Sequence, residues 1–173
     1  CRIDMHTGDL DAADAWYREK APREPTHLNV MRRYQYLTQA MVELEDGRPD
    51  TVQLTLAPLE PYVQNCARII DGIHLNVLTA IALYRKKDER WRERLTAALD
   101  AAAEYRFIRT VSVYGTAVLP LLEALDWDGD KKWYKQIMAA VRKQAAFYPH
   151  FLEPRLAPGE ELTPTELQIL HLL

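Results

Sequence analysis

The sequence predicts an all-α fold, a superhelical array of antiparallel helix hairpins. Apolar residues recur in steps of three and four along most of the chain, and the alternation expected of strands is absent. Only 6 Gly occur among 173 residues, and Leu, Ala, Glu and Arg are abundant, which favours helix over sheet. Three turn signals recur: Gly8-Asp9-Leu10-Asp11, Gly47-Arg48-Pro49-Asp50 and Lys87-Asp88-Glu89-Arg90. They are spaced 39 and 40 residues apart, which sets the period of the array.

At the first two turns Gly supplies a left-handed residue, and Asp or Pro starts the returning helix. Val30, Tyr34, Leu37, Met41 and Leu44 form a stripe before Gly47, and Val52, Leu56, Leu59 and Val63 form one after it. Ile73, Val77, Ala80 with Ile81, and Tyr84 precede the third turn. Trp91, Leu95, Ala98 with Leu99, and Ala102 follow it. Tyr134, Ile137, Met138, Val141, Ala145 and Tyr148 give a last long stripe. Small residues such as Ala12, Ala13, Ala40, Ala80 and Ala98 allow close helix approach. The array is expected to span residues 1–148.

Residues 149–161 hold three of the ten Pro and one Gly, cannot continue a helix, and predict a linker. Residues 162–173 predict the start of another helix. Thr163 is the N-cap, Pro164 takes the first helical position, and Thr163 with Glu166 forms a capping box. Leu167, Leu170 and Leu173 supply its stripe, and the sequence stops there with no partner for it. With a first residue that is Cys1 and not Met, this leads to the expectation of a piece of a longer protein.

Net charge is −3, so no electrostatic case for nucleic-acid binding arises. Cys1 and Cys66 make no disulfide framework and suit a reducing cytoplasm. There is no signal peptide, and the most apolar stretch, Ile73–Tyr84, is too short to span a bilayer. No partner in a membrane is expected.

Chemistry-bearing patterns are few. The five His have no zinc-like spacing. Asp126, Asp128 and Asp130 resemble a calcium loop only in part: Gly129 is at the fourth position instead of the sixth, and Ile137 stands where Glu belongs. They read as a turn capping a helix from Lys131. No GxxxxGK and no Gly-x-Ser-x-Gly occurs, so neither an enzyme nor a cofactor is expected in this chain. The basic run Arg85, Lys86, Lys87, Arg90, Arg92 and Arg94 is interleaved with acids and reads as a solvated hairpin tip.

Candidate ligand contacts come from polar groups on apolar helices. Arg32, Arg33, Tyr34 and Tyr36 lie together; either Tyr34 is core and the Arg are solvated, or Arg32 and Tyr36 offer cationic donors and an aromatic face to a groove. His74, Asn76 and Thr79 interrupt an apolar helix. They bond internally to a neighbouring hairpin, or they form a ligand-contacting row.

Leu162, Thr163, Glu166, Leu167, Ile169, Leu170, Leu172 and Leu173 resemble the first helix of the LuxR-type helix-turn-helix, with Thr165 and Gln168 departing from it. The resemblance extends upstream. Gly8-Asp9-Leu10 with Ala12, Ala13 and Trp16, then Gly47-Arg48-Pro49 with Leu56, Pro58 and Leu59, then Leu78, Ala80, Ala82 and Asp88 are similar to hairpins of the tetratricopeptide-like sensor domain of large ATP-binding, maltose-regulator-like LuxR-type activators. Arg109, Gly115, Leu121 and Leu122 also fit, which adds Arg109 to the candidate site; Val111, Val113-Tyr114 and His74 depart from the pattern. The ordinary 34-residue tetratricopeptide signature does not appear cleanly. The resemblance implies a sensor of a small-molecule or peptide effector, with a homo-oligomer among its partners. It implies ATP for the parent protein only, and DNA contact only through the missing helix-turn-helix. The competing expectation is a stand-alone tetratricopeptide-like scaffold that binds a peptide, with residues 162–173 as its capping helix.

Overall fold

Left-handed backbone positions, at Gly8, Gly47, Ala67, Lys87 and Arg106, end five of the ten helices among the described residues. The computed structural model describes residues 1–23 and 28–155. Among the described residues there are ten α-helices, one 3-10 turn at Val30–Arg32, and no strand. The helices are α1 (Arg2–Thr7), α2 (Leu10–Lys20), α3 (Arg33–Glu45), α4 (Pro49–Leu56), α5 (Leu59–Asn65), α6 (Ile69–Arg85), α7 (Trp91–Glu104), α8 (Arg109–Ser112), α9 (Gly115–Ala124) and α10 (Lys131–Phe147). The all-helical hairpin array expected from the sequence is the observed fold.

Turns stand where expected, with the left-handed glycines Gly8 (φ 80°) and Gly47 (φ 67°) as read from the sequence; at the third, Lys87 is left-handed (φ 56°) without a glycine. Asp9 caps α2 by accepting from the Ala12 amide at 3.0 Å, and Pro49 opens α4. Three further non-glycine residues are left-handed, Ala67 (φ 47°), Arg106 (φ 55°) and Leu152 (φ 60°), and were not foreseen. Positions 47, 67, 87 and 106 lie 20, 20 and 19 residues apart, so one such residue follows each half-period. The stripe expected to run from Val52 to Val63 is broken at Ala57-Pro58, because Pro58 lacks the amide that would continue α4.

Helix α6 is the centre. It packs against α3, α4, α5, α7, α8 and α9. Gly72, Ile73, Leu75, Val77, Leu78, Ala80, Ile81, Ala82 and Leu83 are all buried, as a helix enclosed on every side requires. Helix α7 turns back along α6 with Trp91, Leu95, Ala98, Leu99 and Ala102 buried, the stripe read from the sequence. The last layer is α8 and α9 against α10. There Gly115 (φ 40°) faces the Ala145 backbone so closely that a Cβ would stand 3.2 Å from its amide nitrogen. Asp130 caps α10 by accepting from the Lys132 and Trp133 amides at 2.9 and 3.1 Å, the role expected of that acidic turn.

Three expectations are corrected. Tyr34 and Val30 are exposed and Tyr36 is buried, because α3 begins only at Arg33 and the phase of its apolar face is set by Leu37, Met41 and Leu44. The basic run is not wholly at a solvated tip: Arg85 lies inside, donating to the carbonyls of Leu44 (2.6 Å) and Leu152. Four of its neighbours outside are paired, Arg90 with Asp88, Arg92 with Glu89, Arg94 with Glu60 and Lys86 with Asp50. Finally, the segment from 149 does not begin as a spacer. Phe151 and Leu152 are buried in the common core. Arg155 grips Asp14 of α2 with two bonds of 2.8 and 2.9 Å, and its amide donates to the Glu45 carbonyl at 2.8 Å. The packed array therefore runs past 148 to Arg155. The rest of the expected linker and the helix expected at 162–173, Thr163 and Glu166 included, lie outside the described residues.

Candidate functional site

The short helix α1 ends at Gly8, and the reversal there sets Arg2, Ile3, His6 and Thr7 opposite α8 and the end of α10. Between them is an open cleft of about 560 Å³, completed by Arg109, Ser112, Val113, Gln144 and Tyr148. Its size is that of a small-ligand site. Arg2 is held from behind: its Nε donates to Thr38 Oγ1 at 2.8 Å and its Nη2 to the Tyr34 carbonyl at 3.3 Å. The His6 ring stacks on Phe151 (centroids 3.8 Å apart) and meets Tyr148 edge-on, which fixes the wall between this cleft and the next.

The second cavity, about 390 Å³, lies between the Gly8 turn and the returning segment 147–155. Its walls include the aromatic groups of Phe147, Tyr148, Phe151 and His6. Glu45 is at its base, almost fully buried, with Oε2 lacking a hydrogen-bond partner. Burial pushes the Glu45 carboxyl up to about 7; the positive charge of Arg155 opposes the shift, and Asp46 and Asp14 add to it.

The five sequence-predicted residues are not brought together. Arg32 is exposed and donates to the Lys20 carbonyl at 2.9 Å and to the Gln35 side chain. Tyr36 is buried and borders a separate small cavity of about 180 Å³ beside Thr51 and Thr55. His74 bonds Tyr114 Oη at 2.9 Å across to the next hairpin. Burial holds the His74 imidazole down to about 4, assisted by the positive charge of Arg2 and opposed by Asp71. The same burial raises the Tyr114 hydroxyl well above its ordinary range. Asn76 accepts from Arg94 at 3.3 Å. His74 and Asn76, two residues apart, face different sides of α6 and cannot form one row. Only Arg109 lines the large cleft.

Sequence reasoning missed Arg2, His6, Ser112 and Gln144. They belong to three elements far apart in the chain, and none lies in a pattern that spacing reveals. It also missed the buried carboxylate of Glu43, which accepts from Tyr17 (3.1 Å), Thr55 (2.8 Å) and Gln39 (3.0 Å) and so ties α2, α3 and α4 together. That cluster is saturated with donors and is structural.

No helix among the described residues is long and apolar enough to cross a membrane. Comparison with known proteins gives a family match: the model described as the MalT-like TPR region matches residues 1–127, from α1 through the end of α9. No curated protein and no solved structure matches the chain.

Proposed function

Because the chain belongs to the MalT-like TPR-region family, we propose that its array is the effector-sensing domain of a LuxR-type transcriptional regulator. It is a non-catalytic, cytoplasmic module that needs no cofactor of its own. The ATPase and helix-turn-helix modules of such a regulator belong to the rest of its polypeptide, so ATP and DNA are partners of the parent and not of this array. The supporting observation is the tether between the segment 148–155 and the first hairpin. Arg155 binds Asp14, and Phe151 packs on His6, at the edge of the two cavities. An effector that binds more tightly to one arrangement of this edge shifts the population of the segment that leads toward residues 162–173.

The parent gene tests the reading. Codons after Leu173 for a tight turn and a second, basic helix, with a phosphate-binding loop encoded upstream, support it. A stop codon directly after Leu173 overturns it in favour of the peptide-binding scaffold. A thermal-shift screen of sugars, metabolites and peptides then identifies the effector, since a ligand at 100 times its Kd stabilises the fold by about 2.7 kcal/mol.

A further inference from the structure

The cleft between α1, α8 and α10 carries positive charge on facing walls and no acid. Arg2 comes from the first hairpin and Arg109 from the last layer, and neither Asp nor Glu lines the space between them. The Arg109 side chain is exposed and makes no ion pair or hydrogen bond among the described residues. Arg2 is anchored by Thr38 Oγ1 and the Tyr34 carbonyl, both neutral. Those bonds use two of its five N–H donors and leave the others for a ligand. Arg48, Arg68, Arg90, Arg106 and Arg155 each stand against an acid, whereas Arg2 and Arg109 share a cleft whose lining holds none. Ser112 and Gln144 add neutral hydrogen-bonding groups, and Ile3, Val113 and Tyr148 add apolar surface. A positive, partly apolar cleft of about 560 Å³ fits an organic molecule with a charged end, not a bare ion.

We infer that this cleft is a binding site for a small organic oxyanion, a phosphate monoester or polycarboxylate, held between Arg2 and Arg109. The guanidinium forks match the planar or tetrahedral oxygens of such groups, and Arg pairs with them through two bonds at once. A bound anion removes the repulsion between the two cations and draws α1 toward α8 and α10, the elements next to Tyr148 and the tethered segment. The inference rests on the sensor reading only in calling the ligand an effector. The gene context decides that reading, and the titrations below decide the cleft, so the two can fail separately.

The test is calorimetric titration of the chain of residues 1–173 at low salt with glucose 6-phosphate, citrate, inorganic phosphate and, as the neutral control, glucose. Saturable binding of glucose 6-phosphate or citrate is expected, with none of glucose. Which of the two binds identifies the oxyanion as phosphate or carboxylate. Arg109→Gln, which removes no side-chain hydrogen bond or ion pair among the described residues, should weaken that binding about tenfold or more, as loss of a charge-assisted pair does. Lys135→Gln, an exposed change on α10 away from the cleft, should leave it unchanged. Absence of saturable binding for both glucose 6-phosphate and citrate up to about 1 mM overturns the inference, and binding of inorganic phosphate alone overturns it as well. So does binding that Arg109→Gln leaves intact, or that glucose matches.

Discussion

Helix α6 and the segment 148–155 both hold the array together, by opposite means. Helix α6 is enclosed by six other helices and contributes a nearly continuous apolar surface, so its stability is spread over many small contacts. The segment 148–155 contributes two buried side chains, Phe151 and Leu152, and otherwise hangs on discrete polar bonds from Arg155 and Arg85. Spread-out apolar packing passes any one loss to the whole array. A few polar tethers can be released by a single charge. The difference separates a scaffold from a part able to move, and it puts the movable part where the chain leaves the array.

The largest expected effect belongs to the scaffold. Leu78 is fully buried in α6, and Leu78→Ala should cost roughly 2–5 kcal/mol. Urea unfolding followed by circular dichroism should show the midpoint fall for the whole array at once. Arg155→Ala should cost less, roughly 2 kcal/mol, the scale of hydrogen bonds to a charged group. Its effect should be local: amide exchange should speed up across 148–155 and stay slow across Val77–Leu83. Uniform acceleration in both segments would show that the tether is part of the same cooperative unit as α6, and the contrast drawn here would fail.

The legibility of the sequence follows the same division. Helices α6 and α7 were readable because spread-out packing leaves a periodic trace, and Leu95, Ala98, Leu99 and Ala102 fall where that trace puts them. Gly8 and Gly47 were readable because glycine announces a left-handed turn. Ala67 and Arg106 adopt the same conformation with no such signal, since tertiary packing imposes it. The tethered segment was misread because its Pro residues resemble a spacer, and a pair of adjacent buried residues, Phe151 and Leu152, has no period. Of the residues that line the candidate cleft, Arg109 alone was named from the sequence, through family resemblance. The internal alternative considered for His74, a bond to the neighbouring hairpin, is the arrangement observed.

The two regions should also respond to pH in opposite directions. Glu45, beside the tether, has its carboxyl raised by burial to about 7, against an ordinary value of 4.5. The folded state therefore holds this proton more tightly than the unfolded state. Its stabilising effect is complete below pH 4.5 and is lost as pH rises through about 7. His74, in α6, is depressed to about 4 from 6.5, so its contribution is complete above pH 6.5 and is lost as pH falls through about 4. Between pH 4.5 and 6.5 the two slopes oppose each other, and the wild-type urea midpoint should change little on their account. Glu45→Gln should expose the His74 slope, with stability rising across that window. Exchange corrected for intrinsic rates should show 148–155 loosening toward pH 7 in the wild type and not in Glu45→Gln. A Glu45→Gln protein with unaltered pH dependence would mean the carboxyl is not held in the buried state described.

The smallest effect tests whether a turn of the scaffold depends on residue type or on packing. Gly47 and Lys87 occupy equivalent turns, at φ 67° and φ 56°. A Cβ at Gly47 would meet nothing within 4 Å, so Gly47→Val suffers from backbone strain alone, roughly 1 kcal/mol or more. Lys87 already bears that kind of strain, about 1–2 kcal/mol for a non-glycine residue in the left-handed region. Lys87→Gly relieves it but gives the unfolded chain more freedom, which costs roughly 0.5–1 kcal/mol. The net expectation is a stabilisation of a few tenths of a kcal/mol up to about 1. Lys87→Ala keeps the Cβ and should change nothing, because the exposed Lys87 side chain makes no hydrogen bond or ion pair among the described residues. Urea midpoints for the three variants read the series directly. If Lys87→Gly destabilises the array while Gly47→Val is neutral, the backbone at these turns is not left-handed, and the half-period spacing of such residues from 47 to 106 loses its meaning.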